Sequence, residues 1–160
     1  LGRTARGVRA LNLEEDDIVV GMVPVMENTT VLTVSVNGQG RRTDPAEYRL
    51  QSRGGKGIKN YDTQKNGPVA GVLAVGEEDD VILISDDGII IRIPVAEIST
   101  QSRYAGGVRV MRIGEGSRLV SLCRAPHEDE EEAAAESEAP AEAETPAEET
   151  ADSTGTPVEE

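Results

Sequence analysis

Shifted by 50 positions, the sequence falls onto itself without a gap. Arg3, Arg53 and Arg103 align, followed by Gly7, Gly57 and Gly107, by Val8, Ile58 and Val108, and by Arg9, Lys59 and Arg109. VVGMVPV (19–25) lies on VAGVLAV (69–75) and LVSLCRA (119–125). TVLTVSVNGQGRRTDPAEY (30–48) lies on DVILISDDGIIIRIPVAEI (80–98), pairing Gly38 with Gly88, Arg42 with Arg92 and Glu47 with Glu97, and Gln51-Ser52 recurs as Gln101-Ser102. A period of this length commits the chain to adjoining copies of one supersecondary unit, because a single unit cannot bury its own apolar face.

Within the unit the pattern is all-β. Val31–Val36 and Val81–Ser85 are short runs rich in β-branched residues, each ending at Asn37-Gly38 or Asp87-Gly88. Those dipeptides suit a two-residue type I′ hairpin turn. Return strands are expected at 39–43 and 89–93, stopped by Pro45 and Pro94, which cannot donate to a ladder. Third strands fit 57–61 and 107–112, and fourth strands fit 68–75 and 118–125. Asp17 and Asn66-Gly67-Pro68 break the chain between them. About four short strands per unit is the size of a propeller blade. A hairpin plus the two strands that follow it makes blades of 30–76 and 80–126, with 1–26 left as half a blade. A closed propeller needs at least about four blades, so the chain is expected to be the last arc of a larger ring or to close by oligomerising, and the opening without Met favours the arc. An exposed, poorly paired edge is expected at 1–26.

Charge separates the chain in two. Residues 128–160 carry 14 of the 30 acids and none of the 16 bases, so 1–127 is neutral and the formal charge of −14 belongs to the C-terminal stretch. With almost nothing to bury, 127–160 reads as a disordered acidic tail, a short helix over 128–138 being the lesser alternative. No apolar run is long enough to span a membrane, and no signal peptide opens the chain. The single Cys123 excludes a disulfide framework, fits a reducing cytoplasm and reads as a core residue of an apolar strand. No Trp, no Phe and three Tyr leave no platform for stacking single-stranded bases.

LGRTARGVRALNL, RRTDPAEYRLQSRGGKGIKNYDTQKNGPVAGVLAV and GIIIRIPVAEISTQSRYAGGVRVMRI resemble the C-terminal domain of bacterial DNA gyrase A, over essentially all of 1–125. The resemblance implies the last blades of a β-pinwheel, a propeller-like ring whose hairpins are exchanged between blades. It implies wrapping of double-stranded DNA, in support of ATP-driven negative supercoiling by a parent type II topoisomerase. It implies as partners the rest of the gyrase A protein and the gyrase B protein, in the bacterial cytoplasm near the nucleoid. QSRGGKG (51–57) is similar to the gyrase-A box, matching at Gln51, Arg53, Gly54, Gly55, Lys56 and Gly57 and departing at Ser52, where a second basic residue is usual. Its late place in the ring makes it the related late-blade loop rather than the principal box. No cofactor is implied for this chain, since ATP and Mg act on other parts of such an enzyme. The cleavage tyrosine belongs to another region, so Tyr48, Tyr61 and Tyr104 do not take that role.

Wrapping needs Lys and Arg along a curved rim, with little reading of bases. Residues 41–65 hold seven bases (Arg41, Arg42, Arg49, Arg53, Lys56, Lys59 and Lys65) against three acids, the only sustained basic stretch. Gly54 and Gly55 are expected to open their N–H groups as an anion nest, with Arg53 forking onto phosphate and Lys56 adding a point charge. Gly7, Gly57 and Gly107, recurring in every unit, read as backbone geometry. For Arg3, Arg53 and Arg103 two readings stay open, a bridge between blades or a contact to DNA. Arg92 reads as a structural or weakly contacting rim charge. SRGGKGI lacks the spacing and terminal hydroxyl of a P-loop, Gly38-Gln39-Gly40 is a hairpin turn, and no nucleophile, base and orienter set is present, so no catalytic residue is assigned. Two other identities fit, the corresponding domain of the topoisomerase IV A protein and a propeller that binds proteins without DNA.

The tail gives the first prediction. Carboxylates tethered beside a basic rim compete with phosphate at high effective concentration. Deleting 128–160 is expected to tighten duplex binding at low salt, and an affinity unchanged across a salt series would leave the tail a solubilising segment only.

Overall fold

A computed structural model describes residues 2–127 of the chain. The chain divides into two units, 1–127 and 128–160; the expectations for the tail lie outside the described residues. In the first unit come β1 (Thr30–Ser35), β2 (Gln39–Thr43), a 3-10 turn (Pro45–Glu47), the one-turn helix α1 (Thr63–Asn66), β3 (Val69–Val75), β4 (Asp79–Ser85), β5 (Ile90–Pro94), a second 3-10 turn (Val95–Glu97), β6 (Val108–Arg109) and β7 (Leu119–Pro126). None of the described helices is long and apolar enough to cross a membrane.

The hairpins form where expected but turn differently. Gly38 N–H donates to the Ser35 carbonyl at 3.0 Å and Gly88 N–H to the Ser85 carbonyl at 3.1 Å. Within each turn only the glycine has a positive φ, +74° at Gly38 and +84° at Gly88. A type I′ turn needs two such residues, so the Asn37 and Asp87 positions lie inside a turn begun at the serine, with the glycine absorbing the left-handed step. The first strand of each hairpin also breaks register at the same place against its other neighbour, β1 against β3 after Val34 and β4 against β7 after Ile84.

The sheets revise the composition of a blade. The first has the order β3-β1-β2-β6 and the second β5-β4-β7, all antiparallel. The strand beside β2 is not the expected 57–61 but β6, lent by the next repeat, with Gln39 opposite Arg109 and Gly40 opposite Val108. Residues 57–61 form no strand, and of 107–112 only two residues do. A strand exists where an edge receives it: β6 finds β2, whereas no described hairpin stands in the matching position for Ile58-Lys59. The same rule leaves the outer edge of β5 without a strand among the described residues. Residues 18–25, which align with β3 and β7, have no strand and expose Ile18, Val19, Val25 and Met22, the last at 94%, the poorly paired edge expected there.

The core lies between the two sheets. Leu32 and Val34 of β1 and Val75 of β3 meet Val81 and Leu83 of β4, Val95, Ile98, Met111 and Leu119, all buried. Since side chains alternate along a strand, β1 offers its even-numbered face and β4 its odd-numbered one. The two sheets thus meet through opposite faces of the repeated strand, and burial of each such Val or Leu contributes about 1.5–3 kcal/mol. Cys123, expected in the core, sits instead on an exposed position of β7, an edge strand.

Two arginines expected at the DNA rim are interior. Arg41 is 1% exposed and Arg42 4%. Arg41 donates from Nε to Thr43 Oγ1 (3.0 Å), from Nη1 to the Ala105 carbonyl (2.5 Å) and from Nη2 to the Asn60 carbonyl, while its guanidinium lies 5.3 Å from the centre of the Tyr61 ring. Arg42 donates to the Ile98 carbonyl and pairs with Glu77 at 3.0 Å. Their donors already hold loops of two successive repeats, and neither reaches solvent where a phosphate would lie. Burial pushes the Tyr61 phenol above its ordinary range, the Arg41 charge only partly offsetting this.

In the next repeat Arg92 donates to Asp80 (2.6 Å) and to the Pro126 carbonyl (2.6 Å), a structural role as read. His127, counted with the tail on sequence, places Nδ1 2.7 Å from the same carboxylate. Burial raises the Asp80 pKa, but the bonds and charges of His127 and Arg92 outweigh it and the net shift is downward.

These buried groups set two expectations for stability. Arg41→Met keeps bulk but strands two carbonyls, and should cost about 2–4 kcal/mol in urea unfolding, while Arg53→Met should change it by less than about 0.5; equal losses would deny Arg41 its role as a staple. Because the Asp80 pKa is depressed in the folded state, its contribution is present above the unfolded carboxylate pKa of about 4 and is lost as pH falls through the lower folded value. Asp80→Asn should therefore destabilise at pH 7, and the gap to the parent should close as unfolding is measured towards pH 3.

Candidate nucleic-acid interface

The loop 51–57 is set on its neighbour by backbone. Gly54 N–H donates to the Ala10 carbonyl (2.9 Å), Asn12 N–H to the Gly55 carbonyl (2.9 Å) and Asn12 Nδ2 to the Gly54 carbonyl (2.5 Å), with Leu11 and Gly55 bridged in parallel. The Gly54 amide is thus occupied by protein, which corrects the expected open anion nest: the backbone of residues 10–12 lies against the loop, and Gly54 takes a φ of +72°. Gly7, Gly57 and Gly107 have φ of +84°, +78° and +84°, the repeated backbone geometry expected of them.

What the docked loop presents is charge. Gln51, Arg53 and Lys56 are exposed. Lys56, 82% exposed, pairs with Glu14 at 3.7 Å, itself exposed, and such a surface pair is worth little and yields to salt. Gln51 turns its amide back to the Arg49 carbonyl (3.1 Å). Arg53 has no ion-pair partner among the described residues. Its counterpart Arg103 donates from its guanidinium to the Lys59 carbonyl and from its backbone N–H to Glu47 (3.2 Å), and stacks on Tyr104 at 4.5 Å. The two open readings of this arginine therefore divide: position 103 bridges repeats and position 53 faces solvent.

Of the remaining expected residues, Arg49 and Lys65 are exposed and Lys59 pairs with Asp62 at 3.4 Å. The Asp62 carboxyl is held below its usual range, chiefly by the Lys65 backbone N–H and then by Lys59. The structure thus keeps Gln51, Arg53, Lys56, Arg49, Lys59 and Lys65 on the surface and removes Arg41 and Arg42. Sequence reasoning missed Asn12 and Asn60. Asn60 takes the Tyr48 hydroxyl on Oδ1 (2.6 Å) and gives Nδ2 to Thr33 Oγ1 (2.9 Å), joining three elements. Its repeat counterparts are Ala10 and Val110, so the period carries no signal for it. A signal for Arg41 did exist: its counterpart is Ile91, an apolar residue at the same inward position.

A family model described as DNA gyrase C-terminal domain, beta-propeller, matches residues 1–26, 29–75 and 79–122. The DNA gyrase A protein of Staphylococcus epidermidis is 50% identical over 58 residues, 35% of this chain and 6% of that protein, and the DNA gyrase A protein of Helicobacter pylori is 49% identical over 57 residues, 35% and 7%. The matched stretch is therefore a small part of each relative. A solved structure of the DNA gyrase A C-terminal domain superposes with a TM-score of 0.67 at 32% identity, covering 74% of this chain and 41% of that one. The C-terminal domain of DNA topoisomerase IV superposes at 0.69 with 23% identity, covering 82% and 42%, a likeness of fold alone. The model match spans all three copies of the repeat, and with it the loop that presents Arg53 and Lys56: the chain belongs to the DNA gyrase C-terminal domain family.

Proposed function

We propose that this chain binds and bends duplex DNA across its rim as the DNA-wrapping region of a gyrase A protein, in a bacterial cytoplasm, and so supports the negative supercoiling performed by the parent enzyme together with gyrase B. The observation that carries the reading is the loop 51–57. Its backbone is pinned by Ala10 and Asn12 of the preceding repeat, while Arg53 and Lys56 stand in solvent. Cations on a pinned backbone lose little freedom when a phosphate arrives, and contacts of this kind position a duplex without reading its sequence. Arg49, Lys59 and Lys65 extend the same positive stretch, on a unit whose net charge over 1–127 is zero. The likeness to topoisomerase IV extends to fold alone, and the family match favours the gyrase reading.

The test is a salt titration. Each phosphate neutralised contributes about 0.9 to the slope of log affinity against log salt. Arg53→Ala with Lys56→Ala is expected to lower duplex affinity and reduce that slope by about 2, with no loss of thermal stability. A parent chain that shows no salt-dependent duplex binding would leave the protein-binding propeller in its place.

A further inference from the structure

A second polar cleft lies between two repeats, away from the 51–57 loop. It measures about 460 Å³ and is lined by Asn37 and Gln39 of the first hairpin, Lys65 and Asn66 of α1, and Gly106 and Gly107 of the following repeat. Its walls are tied together: Asn37 Nδ2 donates to the Asn66 carbonyl (3.1 Å), and the buried Asn66 donates from Nδ2 to the Gly106 carbonyl (3.2 Å). Two donors of the lining have no partner among the described residues. Lys65 is exposed and has no ion-pair partner among the described residues, and the exposed Gly106 N–H donates to no acceptor among them. Arg109 stands directly opposite Gln39 in the β2–β6 ladder, which puts both side chains on one face, and it too is exposed with no carboxylate paired to it among the described residues.

The next repeat supplies an internal comparison. There the positions of Asn37, Gln39 and Lys65 are held by Asp87, Ile89 and Glu115. Asp87 takes hydrogen bonds from Ser85 and Ser117, and Asp86 beside it pairs with Arg118 at 3.4 Å. At matched positions one hairpin tip carries Asn37, Gln39 and Lys65, and the other carries Asp87, Ile89 and Glu115 with Asp86 paired to Arg118.

We propose that the cleft lined by Gln39, Lys65 and Gly106, with Arg109 opposite Gln39 in the ladder, seats a backbone phosphate of duplex DNA as a contact separate from the 51–57 loop, and that the matching tip at Asp87 and Glu115 turns the duplex away. This rests on the DNA reading above and locates where the path continues and where it ends. Lys65 and Arg109 bring the charge, the Gln39 amide and the Gly106 N–H orient the phosphate oxygens, and the Asn37–Asn66–Gly106 bonds hold the two repeats at fixed spacing.

The experiment uses the full chain and duplex DNA in a salt series. Lys65→Ala with Arg109→Ala is expected to reduce the slope of log affinity against log salt by about 2, as two lost phosphate contacts require. Glu115→Lys with Asp87→Asn should raise both slope and affinity by building the missing seat. Should Arg53→Ala with Lys56→Ala weaken binding while Lys65→Ala with Arg109→Ala leaves affinity and slope unchanged, the seat is overturned and the DNA reading stands. A parent chain without duplex binding overturns both. All four substituted positions of the loss variants are exposed, and matching thermal melts identify a loss of contact rather than of fold.

Discussion

The arc depends on a junction at which one repeat completes the sheet of another. β2 has an edge to fill, and β6 of the following repeat fills it with two residues. So short a ladder would be weak alone. Arg41 reinforces it from inside, with its guanidinium against the Tyr61 ring and its donors on the carbonyls of Asn60 and Ala105, which belong to different repeats. A buried cation is tolerable only where its donors are met, and here the acceptors are loop carbonyls that have no ladder of their own. The guanidinium thereby satisfies the loops as much as the loops satisfy it. Arg42 repeats the device one residue on, against the Ile98 carbonyl and Glu77.

This junction shapes the surface. With Arg41 and Arg42 withdrawn, Arg53 and Lys56 are left outside on a loop whose backbone is fastened to the adjacent repeat by Ala10 and Asn12, and the 101–107 loop is fastened in the same way by Arg41, Arg42 and Glu47. Loops that would otherwise be free become rigid by docking, which suits contacts to a regular array of phosphates. The energetic period is also less regular than the sequence period. Position 41 is Arg in one repeat and Ile91 in the next, and the glycine that meets β6 at position 40 becomes Ile90, 63% exposed on an edge with no strand beside it among the described residues.

A reader of the sequence alone recovers the repeat, the all-β class, the hairpins and the glycines held at positive φ, because each is a local matter of side-chain alternation and of φ/ψ sterics. The exposed stretch at 18–25 was also legible, since the repeat shows which hairpin it should join. The turn type was missed by one residue, as Asn-Gly can form the centre of a type I′ turn or, as here, close a turn begun at Ser35 with only Gly38 at positive φ. The blade's composition was missed because the strand nearest in sequence is not the one that reaches the edge of β2.

The period, the neutrality of 1–127 and the presence of a basic stretch over 41–65 were determined by the sequence itself, being properties of residue order and of summed charge. Which of those seven bases face solvent was decided only in three dimensions. Arg41 and Arg53 are the same residue type in the same stretch, and their fates differ because β6 and the 101–107 loop close over one of them while nothing described closes over the other. Burial is set by the distant segment that packs on top, and that is a property of the fold.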